Sequence, residues 1–467
     1  MASLTTNKSK IYPDINDILK NPDDKYIATF ITETKLHTVD KDLTSCDGVI
    51  LNSIYIIRDY VNNMSDYIEI QLSLHLGTYL YDVYKYVDNL EVTLIKYRQL
   101  YQGKKPVITK ERYKAVYLLD KNAPVTTTVN QSKDDLNQGL PITLTLQLLD
   151  RSAETIRVKT TQGNFDKATN PKNTNMSSKA FLNSIISEEC NKVLIENKPA
   201  IDCIDIEKPD NSEELQSITI PSNTRIVELP EYIQTKNIGM YNAGIGNYIQ
   251  SFGTDPFTYK KTFFIYSLYN GDKFKKADYK IIFYNPTTSS YSIGDRTYTY
   301  KDKILKILPH TISKIYDNTV LPSGSGFRTS NANSYMAKPV EMTESGPVFT
   351  RNRLNTEVVY KDRKDNLNFA PNRGVSSNQF ALTSEIIASA GAYINIDISN
   401  LDHDFIYPGP CKIVYEDTNN KVNEVYGVIH KAVITYNQAS LSLMSSYNNR
   451  FISLSSHITL QVFIARP

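Results

Sequence analysis

Six histidines, His37, His75, His310, His403, His430 and His457, are the side chains of this 467-residue sequence best suited to metal ligation or proton transfer near neutral pH. None belongs to an H-E-x-x-H, H-x-H or Cys/His cluster, so their spacing offers no catalytic metal site. The Asp397–Asp404 stretch, with His403 between Asp402 and Asp404, carries carboxylates of the kind a divalent ion takes. Their spacing is irregular and no EF-type glycine follows, which makes a charged loop between strands the stronger reading. Gly244-Ile245-Gly246 has the look of a phosphate loop, but the next glycine, Gly253, breaks the dinucleotide fingerprint and no Lys-Ser/Thr pair follows. Ser323-Gly324-Ser325-Gly326 lacks the first glycine of a nucleophile elbow. Cys46, Cys190, Cys203 and Cys411 show no C-x-x-C spacing and read as reduced thiols. Paired glycosidase carboxylates need no local motif, but nothing promotes any pair among the 50 acidic residues. No catalytic, cofactor-binding or metal residue is assigned, and the sequence reads as that of a non-enzyme.

Composition narrows the remaining classes. Lysine and arginine number 52 against 50 acids, a formal charge of +2, so the basic surface that binds nucleic acid phosphates is not supplied. Hydrophobic residues at 40% and charged residues at 22% suit a folded globular chain with more than one core. The most apolar short run, Phe263–Tyr269, is far below the roughly 20 residues of a membrane span. The opening MASLTTNKSK lacks the apolar region of a secretion signal, so folding in a cytoplasm is expected. Tyrosine is abundant, at 33, while tryptophan is absent. A sugar-stacking surface is one reading of that bias; joint enrichment of Tyr, Asn, Ile and Lys by an AT-rich genome is the stronger one.

Strict alternation dominates the elements that must position any site. Over Asp66–Leu76, Ile68, Ile70, Leu72, Leu74 and Leu76 point one way and Glu69, Gln71, Ser73 and His75 the other. That is the period of an antiparallel strand with one buried and one wet face. Leu90, Val92 and Leu94 repeat it against Glu91 and Thr93, and Ile142, Leu144, Leu146 and Leu148 against Thr143, Thr145 and Gln147. Behind an N-terminal arm, 1–25, these strands predict one antiparallel barrel or sandwich across 26–160, with Asn122–Gly139 as a long exposed loop. A peripheral α+β insertion occupies 161–278. Its helix runs from Ser177 to Lys198, capped by Ser177 or Ser178 and stopped by Pro199. Phe263–Tyr269 and Tyr279–Tyr284 read as strands flanking the turn pair Asn270-Gly271. Residues 279–335 begin a second β unit, 336–377 form an irregular insertion, and 378–467 complete the unit. That last stretch holds a short helix near Asn378–Ala390 and strands at Ala392–Ser399, Cys411–Glu416, Val422–Tyr436, Leu441–Met444, Phe451–Leu454 and His457–Ile464. The fold class is mainly β with a few helices, α+β.

The succession Asn378–Ala390, Ala392–Asn400, Tyr407-Pro408-Gly409-Pro410-Cys411-Lys412-Ile413-Val414-Tyr415 and Tyr426-Gly427-Val428-Ile429-His430-Lys431 resembles the baseplate hub proteins of contractile-tailed bacteriophages, whose barrel is shared by type VI secretion spike proteins. The resemblance implies two tail-tube-like antiparallel β-barrel domains with inserted peripheral domains, the second barrel split, with its first strands near Leu305–Leu321. In this reading Pro408-Gly409 reverses the chain at a barrel rim, and Tyr426 and Val428 share a strand face. His430 is then structural, a partly buried hydrogen-bonding residue at the strand's end.

The same resemblance implies a homotrimer with true threefold and approximate sixfold symmetry. Such a ring joins the tail tube, or a tube-initiating protein, to a central spike protein, is held by baseplate wedge proteins, and lines the channel for DNA. It implies a virion tail baseplate assembled in the host cytoplasm, with no cofactor, sequence-specific nucleic acid binding or membrane span. Three other readings stand beside it: a tail-fibre or adhesin domain, another tail-tube-fold component, and a tail-associated cell-wall hydrolase. Fibres carry shaft repeats, which the sequence lacks, and tube components carry one barrel where this chain has two β units.

Overall fold

The computed structural model describes residues 29–37, 49–99, 107–117, 132–138, 141–166, 177–195, 197–212, 214–215, 217–253, 259–285, 298–301, 304–309, 311–315, 326–331, 347–351, 356–360, 367–369, 391–399, 401, 403–416, 422–438 and 452–464. In chain order the strands begin with β1 (Thr29–His37), β2 (Ile50–Asp59), β3 (Tyr67–Leu74), β4 (Glu91–Gln99), β5 (Val107–Tyr117) and β6 (Ile142–Asp150). The middle of the chain supplies β7 (Thr160–Asp166), β8 (Leu194–Ile195), β9 (Lys198–Pro199), β10 (Cys203–Ile206), β11 (Ser217–Arg225), β12 (Ile245–Gly253) and β13 (Tyr259–Ser267). Then come β14 (Lys280–Asn285), β15 (Tyr298–Lys301), β16 (Ile304–Ile307) and β17 (Thr311–Ile315). A separate four-stranded sheet holds β18 (Gly326–Asn331), β19 (Pro347–Arg351), β20 (Thr356–Tyr360) and β21 (Leu367–Phe369). The last strands are β22 (Ala392–Ser399), β23 (Pro410–Glu416), β24 (Val422–Gln438) and β25 (Ile452–Ile464). The chain is mainly β, as its alternation predicts.

Hydrogen bonding closes eight of these strands into a ring. β24, β2, β3, β6, β5, β4, β1 and β25 pair in turn, each antiparallel, and β25 pairs back onto β24. The ring is not built from residues 26–160 alone: two of its staves are the long C-terminal strands. A closed ladder leaves no free edge, which is what these Leu- and Ile-rich strands need. Ile70, Leu72, Leu74, Leu146 and Leu148 fill the interior and are fully buried. Among the described residues the inside of the ring is therefore packed core.

The same two strands also belong to a second run, β17-β22-β25-β24-β23-β14-β16-β15. β24 pairs with β23 over Val422–Val428 and with β2 over Lys431–Asn437. β25 pairs with β1 over Ile452–Leu454 and with β22 over His457–Ile464. The second run differs from the ring in that β14 lies parallel to both β16 and β23. Among the described residues its end strands, β17 and β15, do not pair with each other.

A β-bulge marks the changeover. On β24 the register against β25 shifts between Ile429, opposite Val462, and Lys431, opposite Gln461, leaving His430 as the extra residue. A strand's side chains alternate, so one inserted residue shifts the parity of everything beyond it. Ile429 before the bulge, and Ala432, Ile434 and Tyr436 after it, thereby meet the same face of β25, where Leu454, Ile458, Leu460 and Val462 are buried. One apolar cluster runs through both halves.

A second core belongs to the peripheral segment. The helix Ser178–Asn191 contributes Phe181, Leu182, Ile185, Ile186 and Cys190, and its cap is Ser177, whose side chain accepts the Ala180 N–H at 3.3 Å. The helix ends at Asn191, well before Pro199, because the chain turns at Lys192 into the β8–β9 hairpin, with Asn197 at φ 65°. β12 and β13 lie between the two cores, giving Ile249, Phe263 and Ile265 to one and Tyr248, Phe264 and Tyr266 to the other.

Two sequence-based expectations fail on packing. β13 and β14 are not a hairpin around Asn270-Gly271: β13 pairs with β10 and β12, β14 with β16 and β23. The intervening turn, Gly271–Lys276, is held on both sides, since Lys273 binds Glu207 and Asp210 while Gly271 lies against the backbone of Tyr426 and Gly427. Glu91 and Thr93 of β4 do not face water but are buried, Glu91 because it pairs with Arg112 and Arg151. Phe451–Leu454 and His457–Ile464 form the single strand β25 from Ile452 onward. The sequence-predicted helix at 378–390 and strand at 441–444 lie outside the described residues.

A Cβ on Gly427 would stand 2.5 Å from Val462 Cγ1 and 2.6 Å from the Phe463 carbonyl oxygen; one on Gly271 would stand 2.7 Å from the Gly427 nitrogen. Gly427→Ala and Gly271→Ala are each expected to lower stability by about 1–3 kcal/mol through overpacking. Urea unfolding midpoints check this, and midpoints at the wild-type value contradict it.

Candidate functional site

The outward face of the shared strands is the broadest organised surface. Its residues fall in rows that cross strand after strand. One row runs Gln147, Glu69, Tyr55, Thr435, His457 and Ser399 over β6, β3, β2, β24, β25 and β22. The next runs Thr145, Gln71, Ser53, Asn437 and Ser455. On the other side run Tyr67, Ile57, Val433, Thr459, Asp397 and Thr311, and then Asp59, Lys431, Gln461, Asn395 and Ser313. Amides and hydroxyls dominate, and the charged residues of these rows are Glu69, Asp397, Asp59 and Lys431.

The face is fixed by bonds along the rows. Asp397 accepts the Thr459 hydroxyl at 2.8 Å and the Thr311 hydroxyl at 2.7 Å, tying β25, β22 and β17 together. This accounts for Asp397 without a metal; the side chains of Asp402 and Asp404 lie outside the described residues. His403, in a short 3-10 turn, contacts the Tyr436 hydroxyl through Nδ1 at 2.6 Å. Asp59 closes the β2–β3 turn by accepting the N–H groups of Val61 and Asn62. Burial raises its pKa, but these bonds, the Asn62 side chain and the Lys431 charge outweigh that, and the carboxyl sits below its usual value.

Behind the face, one buried cluster pins three distant segments. Arg58, at 1% exposure, donates to both oxygens of Asp66 at 3.0–3.1 Å and to the carbonyls of His403 and Ile406 at 2.5 and 3.0 Å. The Tyr248 hydroxyl donates to Asp66 at 2.9 Å, and Gln250 bridges the Tyr60 hydroxyl to the Ile406 carbonyl. Burial pushes the Tyr60 and Tyr248 hydroxyls up, with the Asp66 charge adding to it. The end of β2, the peripheral strand β12 and the 403–406 turn thus share one hydrogen-bond network. A bidentate, fully satisfied pair of this kind fixes geometry as well as energy.

The five motif residues lie around the bulge. Pro408 and Gly409 are buried just before β23, where the Gly409 carbonyl accepts the Ile429 N–H at 3.2 Å and the Tyr407 ring covers the glycine. Val428 is buried opposite Pro410 and Phe463, while Tyr426 is half-buried against Phe274. His430 lies in the middle of β24, not at a strand end. Its Nε2 stands 2.6 Å from the Leu268 carbonyl and so carries the proton, its ring stacks on Phe463 at 5.1 Å, and Nδ1 faces the Tyr393 hydroxyl at 3.4 Å. Burial pulls this imidazole down to about 4, against the Leu268 carbonyl and Asp59, which draw it up. The Arg58–Asp66 network escaped sequence reasoning because Tyr248, Gln250 and the 403–406 turn lie far along the chain from the end of β2; only a charged residue just after the apolar run Ile54–Ile57 hinted at it.

No family model matches the chain, and no curated protein matches it. Among solved structures it is similar to a chain of the Francisella PdpA–VgrG complex in its half-lidded form, at 10% identity over 94% of this chain and 58% of that one, with a TM-score of 0.44. The lidless form matches at 11% identity over 94% and 65%, TM-score 0.43. The 43 kDa tail protein of prophage MuSo2 from Shewanella oneidensis matches at 12% identity over 92% of this chain and 96% of that one, TM-score 0.42. The chain spans between about half and two thirds of the PdpA–VgrG chains that it matches.

Two outcomes follow. Asp66→Ala leaves the Arg58 charge buried without its partner and is expected to cost about 3–5 kcal/mol, read from chemical denaturation. For His430, the unfolded state takes up a proton below pH 6.5 while the folded state resists to about 4. Stability is thus complete above that window and falls as pH drops through it, by up to about 3 kcal/mol. His430→Gln should flatten that part of a stability–pH profile; an unchanged profile contradicts the assignment.

Proposed function

We propose that the chain is a structural subunit of a phage-tail baseplate hub, acting by geometry and without a catalytic step. The observation that carries this reading is the wide, hydroxyl- and amide-rich sheet face with few charges. The interior of the ring is packed, so a channel has to be walled by outward faces set side by side from several copies. A wall of this composition hydrates well and offers a passing polyanion few cations to hold it. The shared strands give each chain two wall units in fixed relation, and three chains then present six such units to a sixfold tube and three to a trimeric spike.

In this reading the partners are two further copies, a central spike protein, the tail tube or a tube-initiating protein, and baseplate wedge proteins, and the site of action is the virion tail baseplate. Native mass spectrometry with negative-stain imaging tests the assembly: a ring-shaped trimer, alone or with its spike, is expected. A chain that stays monomeric with spike present overturns it. The face is tested separately with Gln71→Lys, Thr145→Lys and Ser455→Lys together. The wild type is expected to leave duplex DNA unshifted at about 0.15 M salt, and the triple variant to gain salt-sensitive binding.

A further inference from the structure

A lysine and two carboxylates meet where the peripheral sheet docks on the ring. Lys261, on β13, places Nζ 2.5 Å from Oδ2 of Asp150 at the end of β6 and 3.7 Å from Oε1 of Glu111 on β5. The site is secluded, with the lysine side chain 17% and the aspartate 12% exposed. Asp150 is held from its other side, where Oδ1 accepts the N–H groups of Ser152 at 2.8 Å and Ala153 at 3.2 Å. Glu111 is held by hydrogen bonds from the Ser251 and Tyr113 hydroxyls.

We propose that this triad forms an intramolecular isopeptide bond between Lys261 and Asp150, with Glu111 as the proton relay. The amine is held in contact with the carboxyl group, 2.5 Å from Oδ2, which removes much of the entropic barrier to amide formation. The two N–H groups on Oδ1 fix it as the oxygen that stays and stabilise the charge that develops there. Burial lowers the lysine's proton affinity, but Asp150 and Glu111 draw it up further, so the resting state is the ion pair. The reactive form arises inside that pair. Lys261 passes one proton to Oδ2 of Asp150, giving a neutral amine beside a neutral carboxyl. The nitrogen lone pair attacks Cγ; Glu111 takes a proton from that nitrogen and returns it to the departing hydroxyl. The Cγ–Oδ2 bond breaks, the C–N bond forms, and one water leaves. No oxidant or second reactant is needed, and Glu111 ends as it began.

The bond would lock the peripheral module to the ring covalently, between residues far apart in sequence. Intact mass of the purified, folded, then denatured full chain reads it directly. The wild type is expected to be lighter than its sequence mass by one water, and a proteolytic map to contain the Lys261 peptide joined to the Asp150 peptide. Lys261→Arg keeps the ion pair and is expected at full mass, folded by circular dichroism, with a lower melting temperature. Glu111→Gln is expected folded and at full mass, or converted only in part. A folded wild type at full mass, with both peptides recovered separately and unmodified, overturns the proposal. So does a water loss that persists in Lys261→Arg.

Discussion

The β24–β25 ladder is the constraint on which the architecture depends. It pairs Val428–Gln438 with Leu454–Phe463 without interruption apart from one bulge, while each strand takes different partners along its other side. Two eight-stranded assemblies therefore share a wall, and the angle between them is set by a hydrogen-bonded sheet instead of a linker. The bulge at His430 makes the sharing workable. Without the extra residue, either Ile429 or Ile434 would turn away from the common core, and one half would lose its apolar seam. The imidazole that occupies the position meets the Leu268 carbonyl, Phe463 and Tyr393, so the peripheral segment, β24, β25 and β22 converge on one buried side chain.

Around that ladder the protein separates two kinds of contact. The cores inside the ring and under the helix Ser178–Asn191 are almost wholly apolar. The junction between peripheral sheet and ring adds polar and ionic contacts, through Arg58, Asp66, Gln250, Lys261, Asp150 and Glu111, to the apolar ones of Tyr248, Phe264 and Tyr266. Apolar contacts tolerate sliding, whereas a buried bidentate pair does not.

Much of the ring was legible in the sequence. Alternation identified β3 and β6 with the right residues facing inward, and the polar side of the same strands turned out to be the candidate surface. What escaped has a common cause. Periodicity gives the face of a strand but not its neighbour, so it could not reveal that β24 and β25 close the N-terminal ring. Asn270-Gly271 has hairpin chemistry, yet Lys273 and the Gly271–Gly427 approach hold its flanking strands in different sheets. Glu91 looked outward by alternation, and the distant Arg112 and Arg151 make its burial tolerable. His430 was expected at a strand's end, and its place at a bulge in the middle of β24 depends on a register that one strand alone cannot show.

Native-state hydrogen exchange tests most directly whether the shared ladder makes the two halves one unit. Slow amides of the ring strands β2, β3 and β6 and those of β22 and β23 are expected to exchange through a single global opening, with the same free energy and the same denaturant dependence. Exchange of one set through a cheaper opening, while the other stays protected, would show two independent modules and contradict the account.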